Sequence, residues 1–425
     1  MKFRGRGPTG AALAIVAEGF LSRLSFGIVG LALPLYALKL GMNLGQVGFL
    51  ISANVVLQLV AKPAMAPLAD RFGHRRTLIV AIAGRSLVCL LFAFAVLPWH
   101  LYAIRLLYGM TQALRDPPMN AVIADAGGSK QVASMFGWYH TAKHAAASVG
   151  RAVAGLLLTV GATSGNSQYQ RVFLVAFVLS LLPLGVVLKY LKPAPRDHAP
   201  SSVPVPHGPP GGSKVLKFTL LGFLFGTTAG MLNLFPAIAK VYFNLNEAQI
   251  GLIMLLSAVV VIVAGPVFGW LADHGSRTMV LMIRGFANIA SSAMYLVFPS
   301  FLGVGASKLV DDAGKAAFRP AWGSIMADVA AEQPHRRARV MAWIDVGEDA
   351  GDAAGPALAG WLLVLGGLPL MLGVRVGLAA VTEVWAWWTT HRQDRQSTWV
   401  PDVTADASFD ATEDATQDAL RLPWA

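Results

Sequence analysis

Apolar residues fall into long blocks separated by short polar stretches, and these blocks carry the first prediction. A helix needs about 20 mostly apolar residues to cross a hydrocarbon core. Runs of that kind lie at 12–38, 45–67, 77–97, 101–126, 133–161, 169–191, 215–240, 247–270, 278–298, 301–328, 338–365 and 369–390. No water meets the backbone inside a bilayer, so each run must close its hydrogen bonds within itself as a helix. The predicted fold class is an all-α membrane protein of twelve transmembrane helices. Connections are short except at 193–213, rich in proline, glycine and serine, and after Arg392. The first reads as a flexible linker. The chain thus divides into a six-helix bundle over 1–192, a cytoplasmic linker over 193–213, a second six-helix bundle over 214–392 and an acidic tail over 393–425.

The flanks of these runs are unequal in charge. With the amino terminus inside, lysine and arginine gather at inner segments such as Lys2 to Arg6, Arg71 to Arg76, Lys189 to Arg196 and Arg336 to Arg339. The outer ends carry only Lys39, Arg171, Lys240 and Arg375. That asymmetry predicts cytoplasmic termini and a multi-pass protein of a bacterial inner membrane. The opening Met-Lys-Phe-Arg imitates a signal peptide, but Glu18 and Arg23 interrupt the apolar run behind it, so it reads as the first span.

Composition agrees. Hydrophobic residues make up 55% of 425 and charged ones 13%, against roughly 25% charged in soluble domains. The single cysteine excludes a disulfide framework or a thiolate zinc site. A net charge of +11 would suit nucleic acid only on a soluble basic patch, and here the charges lie between apolar runs. No Gly-x-x-x-x-Gly-Lys-Ser/Thr motif occurs, so an ATPase is excluded, and no enzymatic activity or cofactor is expected. The expected partners are a small-molecule or ion substrate and the lipid bilayer, with no nucleic acid.

The two halves repeat. Leu68-Ala69-Asp70 recurs as Leu271-Ala272-Asp273, Pro117 as Pro320 and Ala124-Asp125 as Ala327-Asp328, each displaced by 203 positions. Trp138 and Trp343, and Gly150 and Gly155 against Gly355 and Gly360, continue at 205. Parallel six-helix halves of this kind are an established transporter plan. Ala66-Pro67-Leu68-Ala69-Asp70-Arg71-Phe72-Gly73-His74-Arg75-Arg76 resembles the loop signature of the major facilitator superfamily, with Ala66 where that family has glycine. The second copy, from Gly269 through Asp273 to Arg277, is one residue shorter, and Leu101, Arg105 and Gly109 resemble the family's fourth-helix pattern. The resemblance covers essentially the whole membrane portion. It implies two pseudo-symmetric six-helix bundles, secondary active transport, and a cytoplasmic gate of Asp70, Arg71, Gly73, Arg75, Arg76, Asp273 and Arg277 in which Asp70 latches the halves. Independently, a tight turn needs Gly73, and Asp70 can face a helix amino terminus. The rival reading gives these charges to topology alone.

Ionisable groups inside the spans are the remaining signal, because each costs about 2.5–3.5 kcal/mol at a helix centre unless paired or hydrated. They include Glu18, Arg23, Arg85, Arg105, Arg115, Asp116 and Arg284. In the tenth span Asp311, Asp312, Lys315 and Arg319 are spaced for an internal ladder. His140, Lys143, His144 and Arg151 share one face of the fifth span, and Asp345, Glu348, Asp349 and Asp352 one face of the eleventh. One half is basic where its repeat counterpart is acidic. Three readings stand. The charges form an inter-domain network of His140, Lys143, His144, Arg151, Asp311, Asp312, Lys315 and Arg319 without substrate contact. Alternatively Glu18, Arg23, Arg115, Asp116, Asp345, Glu348, Asp349 and Asp352 form a proton relay or a site for a cationic or zwitterionic solute. Thirdly, oxygen ligands with His140 and His144 carry a metal ion such as iron.

Gly351, Gly355, Pro356 and Gly360 resemble the antiporter pattern Gly-x-x-x-Gly-Pro, whose usual place in the family is the fifth helix. There this chain has Ala146, Gly150 and Arg151. Such glycines permit close packing, and Pro117 and Pro320 are expected bend points. A transport-inactive scaffold or sensor, recruiting a cytoplasmic partner through the acidic tail, is the rival class.

Overall fold

The computed structural model describes residues 10–160, 167–190, 213–333 and 337–397. The linker before Ser213 and the tail after Ser397 lie outside them. All regular structure among the described residues is helical: α1 Gly10–Lys39, α2 Leu44–Phe72, α3 His74–Phe94, α4 Pro98–Val160, α5 Ser167–Tyr190, α6 Ser213–Gly230, a 3-10 turn Met231–Leu234, α7 Phe235–Phe243, α8 Glu247–His274, α9 Arg277–Val297, α10 Phe301–Ala331 and α11 Arg337–Ser397. Eight helical stretches among the described residues are long and apolar enough to cross a membrane. The outside of the bundle is apolar too. In α8 an 18-residue segment within Glu247–Ala272 has a mean hydropathy of 2.7 with only 22% of it buried in the protein. A continuous exposed apolar surface of this kind calls for acyl chains as its solvent.

Two helices are too long for one crossing, and each holds two of the predicted spans. In α4, Arg115 donates to the Tyr139 hydroxyl at 2.9 Å although 24 residues separate them. A straight helix would put about 36 Å between them, so the chain reverses in between, where the hydrophobic pattern ends one run and begins the next. In α11 the break is explicit at Gly366 (φ −147°, ψ 17°) and Gly367 (φ 68°, ψ −165°), followed by Pro369. Only Gly367 occupies the left-handed region, which a side chain would disfavour. The predicted seventh span differs from expectation. It is split into α6, the 3-10 turn and α7, with Pro236 in the first turn of α7. Pro117, Pro118 and Pro320 lie inside α4 and α10 without ending them.

Close backbone approaches show the repeat in space. A Cβ on Gly150 of α4 would lie 2.9 Å from the Gly27 Cα of α1. A Cβ on Gly355 of α11 would lie 2.7 Å from the Gly230 carbonyl carbon at the end of α6. Gly27 and Gly230 are displaced by 203 positions and Gly150 and Gly355 by 205, so the repeat read in sequence is one helix contact made twice.

The cores are arranged unevenly. At the end of the bundle bearing Leu44 and Ile250 one apolar core joins both halves, with Tyr36, Val47 and Leu50 in the same cluster as Leu234, Phe235, Ile250 and Ala359. Toward the end bearing Gly73 and Arg277 there are two separate cores, one around Leu78, Ile82 and Ile123 and the other around Phe218, Trp322 and Ile344. The halves are welded at one end and stand apart at the other.

Candidate functional site

The site residues lie on α1, α2, α3, α4, α10 and α11. In the first half, Arg115 of α4 binds Glu18 of α1 at 2.6 Å with both side chains at most 4% exposed. The same guanidinium donates to Tyr139 at 2.9 Å. Arg85 of α3 donates to the Ser22 hydroxyl at 2.6 Å and the Ser22 carbonyl at 2.7 Å, and lies 4.0 Å over the Phe26 ring. Phe26 stacks on Tyr108, whose ring Arg105 faces at 5.4 Å. Asp116 accepts from Gln58 at 2.8 Å, and Lys143 lies 4.9 Å over the Tyr139 ring. Arg23 and Arg151 are half-buried and make no hydrogen bond or ion pair among the described residues.

The second half is more fully paired. Asp311 of α10 is bound by Arg375, with both side chains fully buried, and by Lys315 at 2.7 Å. Arg375 also donates to the Thr228 carbonyl at 3.1 Å and the Ser292 hydroxyl at 2.8 Å. Asp312 is bound by Lys308 at 2.5 Å and Lys315 at 3.3 Å. The expected ladder in α10 therefore forms through Lys315, but Arg319 leaves it and pairs with Glu348 of α11 at 3.4 Å. Asp352 accepts from Asn233 at 3.0 Å. Asp345 and Asp349 are exposed, and Lys62 of α2, in the other half, faces both within electrostatic reach.

Arg375 is a correction to the sequence reading, which set it at an outer flank. It is 0% exposed inside the bundle. Hydropathy could not distinguish a flank from an interior position there, because the buried acceptors come from α6, α9 and α10. Lys308 and Glu383 were likewise missed. Glu383 lies against Gly285 of α9, where the absence of a Cβ makes room for its carboxyl. Among the described residues no ion pair joins the two halves; the ones formed stay within a half. The side chains of Asp70, His140, His144 and Asp273 lie outside the described residues.

Of the remaining expected gate residues, Gly73 has φ 82°, as a tight turn between α2 and α3 requires. Arg75 donates to the Leu188 carbonyl at 3.1 Å and Arg277 binds Asp328 at 2.5 Å, while Arg71 and Arg76 are exposed. Gly109 packs on the Asn54 carbonyl of α2. The glycine-proline set of α11 divides. Gly351 and Gly355 let α6 approach, whereas a Cβ on Gly360 would lie 3.1 Å from the Gly45 and Gly48 Cα atoms and Pro356 turns its carbonyl to Gly48, across the seam between halves.

The repeat then relates the two charge sets. By its offsets Asp116 corresponds to Arg319 and Lys143 to Glu348. Arg319 and Glu348 form an ion pair, and Asp116 stands within electrostatic reach of Lys143. The same pair of positions is occupied in both halves with the signs exchanged. The first-half side of the seam thus carries Asp116 beside its cations, and the second-half side carries Arg319 beside its carboxylates. Among the described residues no cluster of histidine, cysteine and carboxylate side chains could hold a metal ion.

Comparison with known proteins bears on this arrangement. The profile of the family described as Major Facilitator Superfamily matches residues 19–306 and 218–423. The chain is 28% identical over 271 residues to a protein named tetracycline resistance protein, class B, of Escherichia coli, a match covering 60% of this chain and 63% of that protein. It thus spans less than two thirds of that relative's length. It is 24% identical over 384 residues to a multidrug resistance protein, MdtG, of Serratia proteamaculans, covering 88% and 92%. In fold it resembles a bacterial homolog of the human lysosomal transporter Spinster solved in an inward-facing, occupied conformation. That match has a TM-score of 0.74 and 16% identity and covers 93% of this chain and all of that one. It also resembles the nucleoside transporter NupG, with a TM-score of 0.73 and 14% identity, covering 90% and 99%.

Proposed function

The chain belongs to the major facilitator superfamily, and from that premise we propose that it is a secondary active transporter that moves a small cationic or zwitterionic solute across the bacterial inner membrane. Twelve crossings with both ends of the chain in the cytoplasm accord with the lysine and arginine asymmetry. On that orientation the shared core lies at the periplasmic side and the separated cores at the cytoplasmic side, an inward-open state. Rocking of the halves about the charged middle would separate Gly48 from Pro356 and close the Gly73 end, which is alternating access. Coupling to protons is assigned to the carboxylates of α11, because Asp345 and Asp349 are exposed between the halves and Glu348 holds only a 3.4 Å contact to Arg319.

The single observation that carries this reading is the exchange of charge sign between Asp116 with Lys143 and Arg319 with Glu348, at equivalent depths of two halves joined at one end. Topology alone asks for no charge at mid-helix. The test is flux in proteoliposomes under an imposed pH gradient, with tetracycline and a nucleoside as trial solutes, the first named for a relative in sequence and the second for a neighbour in fold. The combined Glu348→Gln and Asp349→Asn protein is expected to lose at least about tenfold in gradient-driven flux, about 1.4 kcal/mol in the coupled step, while reaching the same level in the membrane. Undiminished flux in that protein would remove the carboxylate relay.

A further inference from the structure

Among the described residues of the first half, buried cations outnumber carboxylates. Its described carboxylates at mid-depth are Glu18, which Arg115 occupies, and Asp116, which accepts from Gln58. Arg23 stands within electrostatic reach of Arg85, Arg105, Lys143 and Arg151. Of these five cations none has a carboxylate bonded to it among the described residues. Arg85 has the neutral oxygens of Ser22, Arg105 has a ring face, Lys143 has a ring face with Asp116 within electrostatic reach, and Arg23 and Arg151 have neither bond nor ring.

Like charges held this close in a poorly hydrated seam repel, and the repulsion is relieved by a counter-charge. A carboxylate within electrostatic reach of Arg151 is Asp312, but that group is held by Lys308 and Lys315. Gly30 leaves space beside Arg151: a Cβ placed there would be 3.8 Å from Nε and would meet nothing else. Gly30 is itself exposed and Arg151 half-buried, so this space is not closed off by other side chains. In the second half α11 presents Asp345 and Asp349, exposed, without a hydrogen bond among the described residues and within electrostatic reach of Lys62 of α2.

We propose that Arg23, Lys143 and Arg151 hold an oxyanion, carboxylate or phosphate, and that the solute is dipolar, with its cationic end toward Asp345 and Asp349. This rests on the transporter reading and narrows its solute to a molecule carrying both charges. Guanidinium groups suit such a partner because each offers several donors in a planar fork.

The test is thermal unfolding of the purified full-length protein at fixed ionic strength, titrated with inorganic phosphate, phosphocholine, choline and dihexanoylphosphatidylglycerol to about 100 times the dissociation constant where one is measurable. Phosphate and phosphocholine are expected to raise the melting temperature by several degrees, and phosphocholine to act at concentrations at least about tenfold lower than phosphate. Arg23→Gln and Arg151→Gln should melt higher than wild type without ligand and lose the phosphate response. Arg151→Lys should keep it, and Asp349→Asn should weaken phosphocholine alone. A response confined to the short-chain lipid would assign the oxyanion to a headgroup instead of a soluble solute. Flat titrations with all four compounds, or a phosphate response unchanged in the glutamine variants, would overturn the oxyanion site. A phosphate response without a phosphocholine advantage would overturn the dipolar solute. Binding without any flux in liposomes would instead defeat the transporter reading and leave the anion site standing.

Discussion

Glu18 and Arg115 illustrate what a single residue reveals and conceals. Both stood out in sequence because charges at mid-span are costly, but 97 residues separate them and nothing local joins them. Their contact depends on α1 and α4 crossing. The internal pair of Asp311 with Lys315 was legible because four residues of helix bring side chains together without tertiary help. The difference predicts a measurement. Glu18→Gln should leave Arg115 as a buried, unpaired cation and cost about 3–5 kcal/mol of stability, whereas Glu18→Gln with Arg115→Met should recover much of that loss. Denaturant unfolding of the wild type and both variants in detergent checks it; a Glu18→Gln protein as stable as wild type would mean that the pair contributes nothing. Arg375 belongs at the same scale, since its surroundings of Thr228, Ser292 and Asp311 come from three other helices and have no trace in its own neighbours along the chain.

At the level of helices, the hydrophobic runs and their order were readable because a bilayer crossing demands a fixed length of apolar helix. The 3-10 break at Met231–Leu234 was not, for it falls inside one predicted span and follows the close contact of Gly230 with Asp352 of α11. The pairing of α1 with α4 and of α6 with α11 turns on glycines whose absent side chains admit a neighbouring backbone. Gly150→Val and Gly355→Val should each force those helices apart. The expected cost is about 1–3 kcal/mol or more, because the obstructing atoms are main chain and cannot rotate away. A melting temperature within a degree of wild type for either variant would contradict these two contacts. Equal losses in both would confirm that the repeated contact does equivalent work in each half.

For the whole molecule the decisive feature is a core shared at one end and divided at the other. A Cβ on Gly45 would lie 3.2 Å from a Val364 methyl carbon, across the seam. Cysteines at these two positions are therefore within disulfide range. In a Cys89→Ala background, the sole native cysteine being buried, Gly45→Cys with Val364→Cys is expected to cross-link on oxidation. The bridge should stop flux in proteoliposomes, and a reductant should restore it. Full transport by the cross-linked protein would show that this seam does not open in the cycle.

Length, apolar run, flanking charge and the 203-residue repeat were determined by sequence alone, because each is imposed by the bilayer or by duplication and acts position by position. Which charges meet was decided only by the tertiary structure. A salt bridge between α1 and α4, an arginine enclosed by three helices, and cations left facing carboxylates across a seam depend on the angle and depth at which helices cross. Those are set by the packing of whole faces, and residue spacing does not encode them.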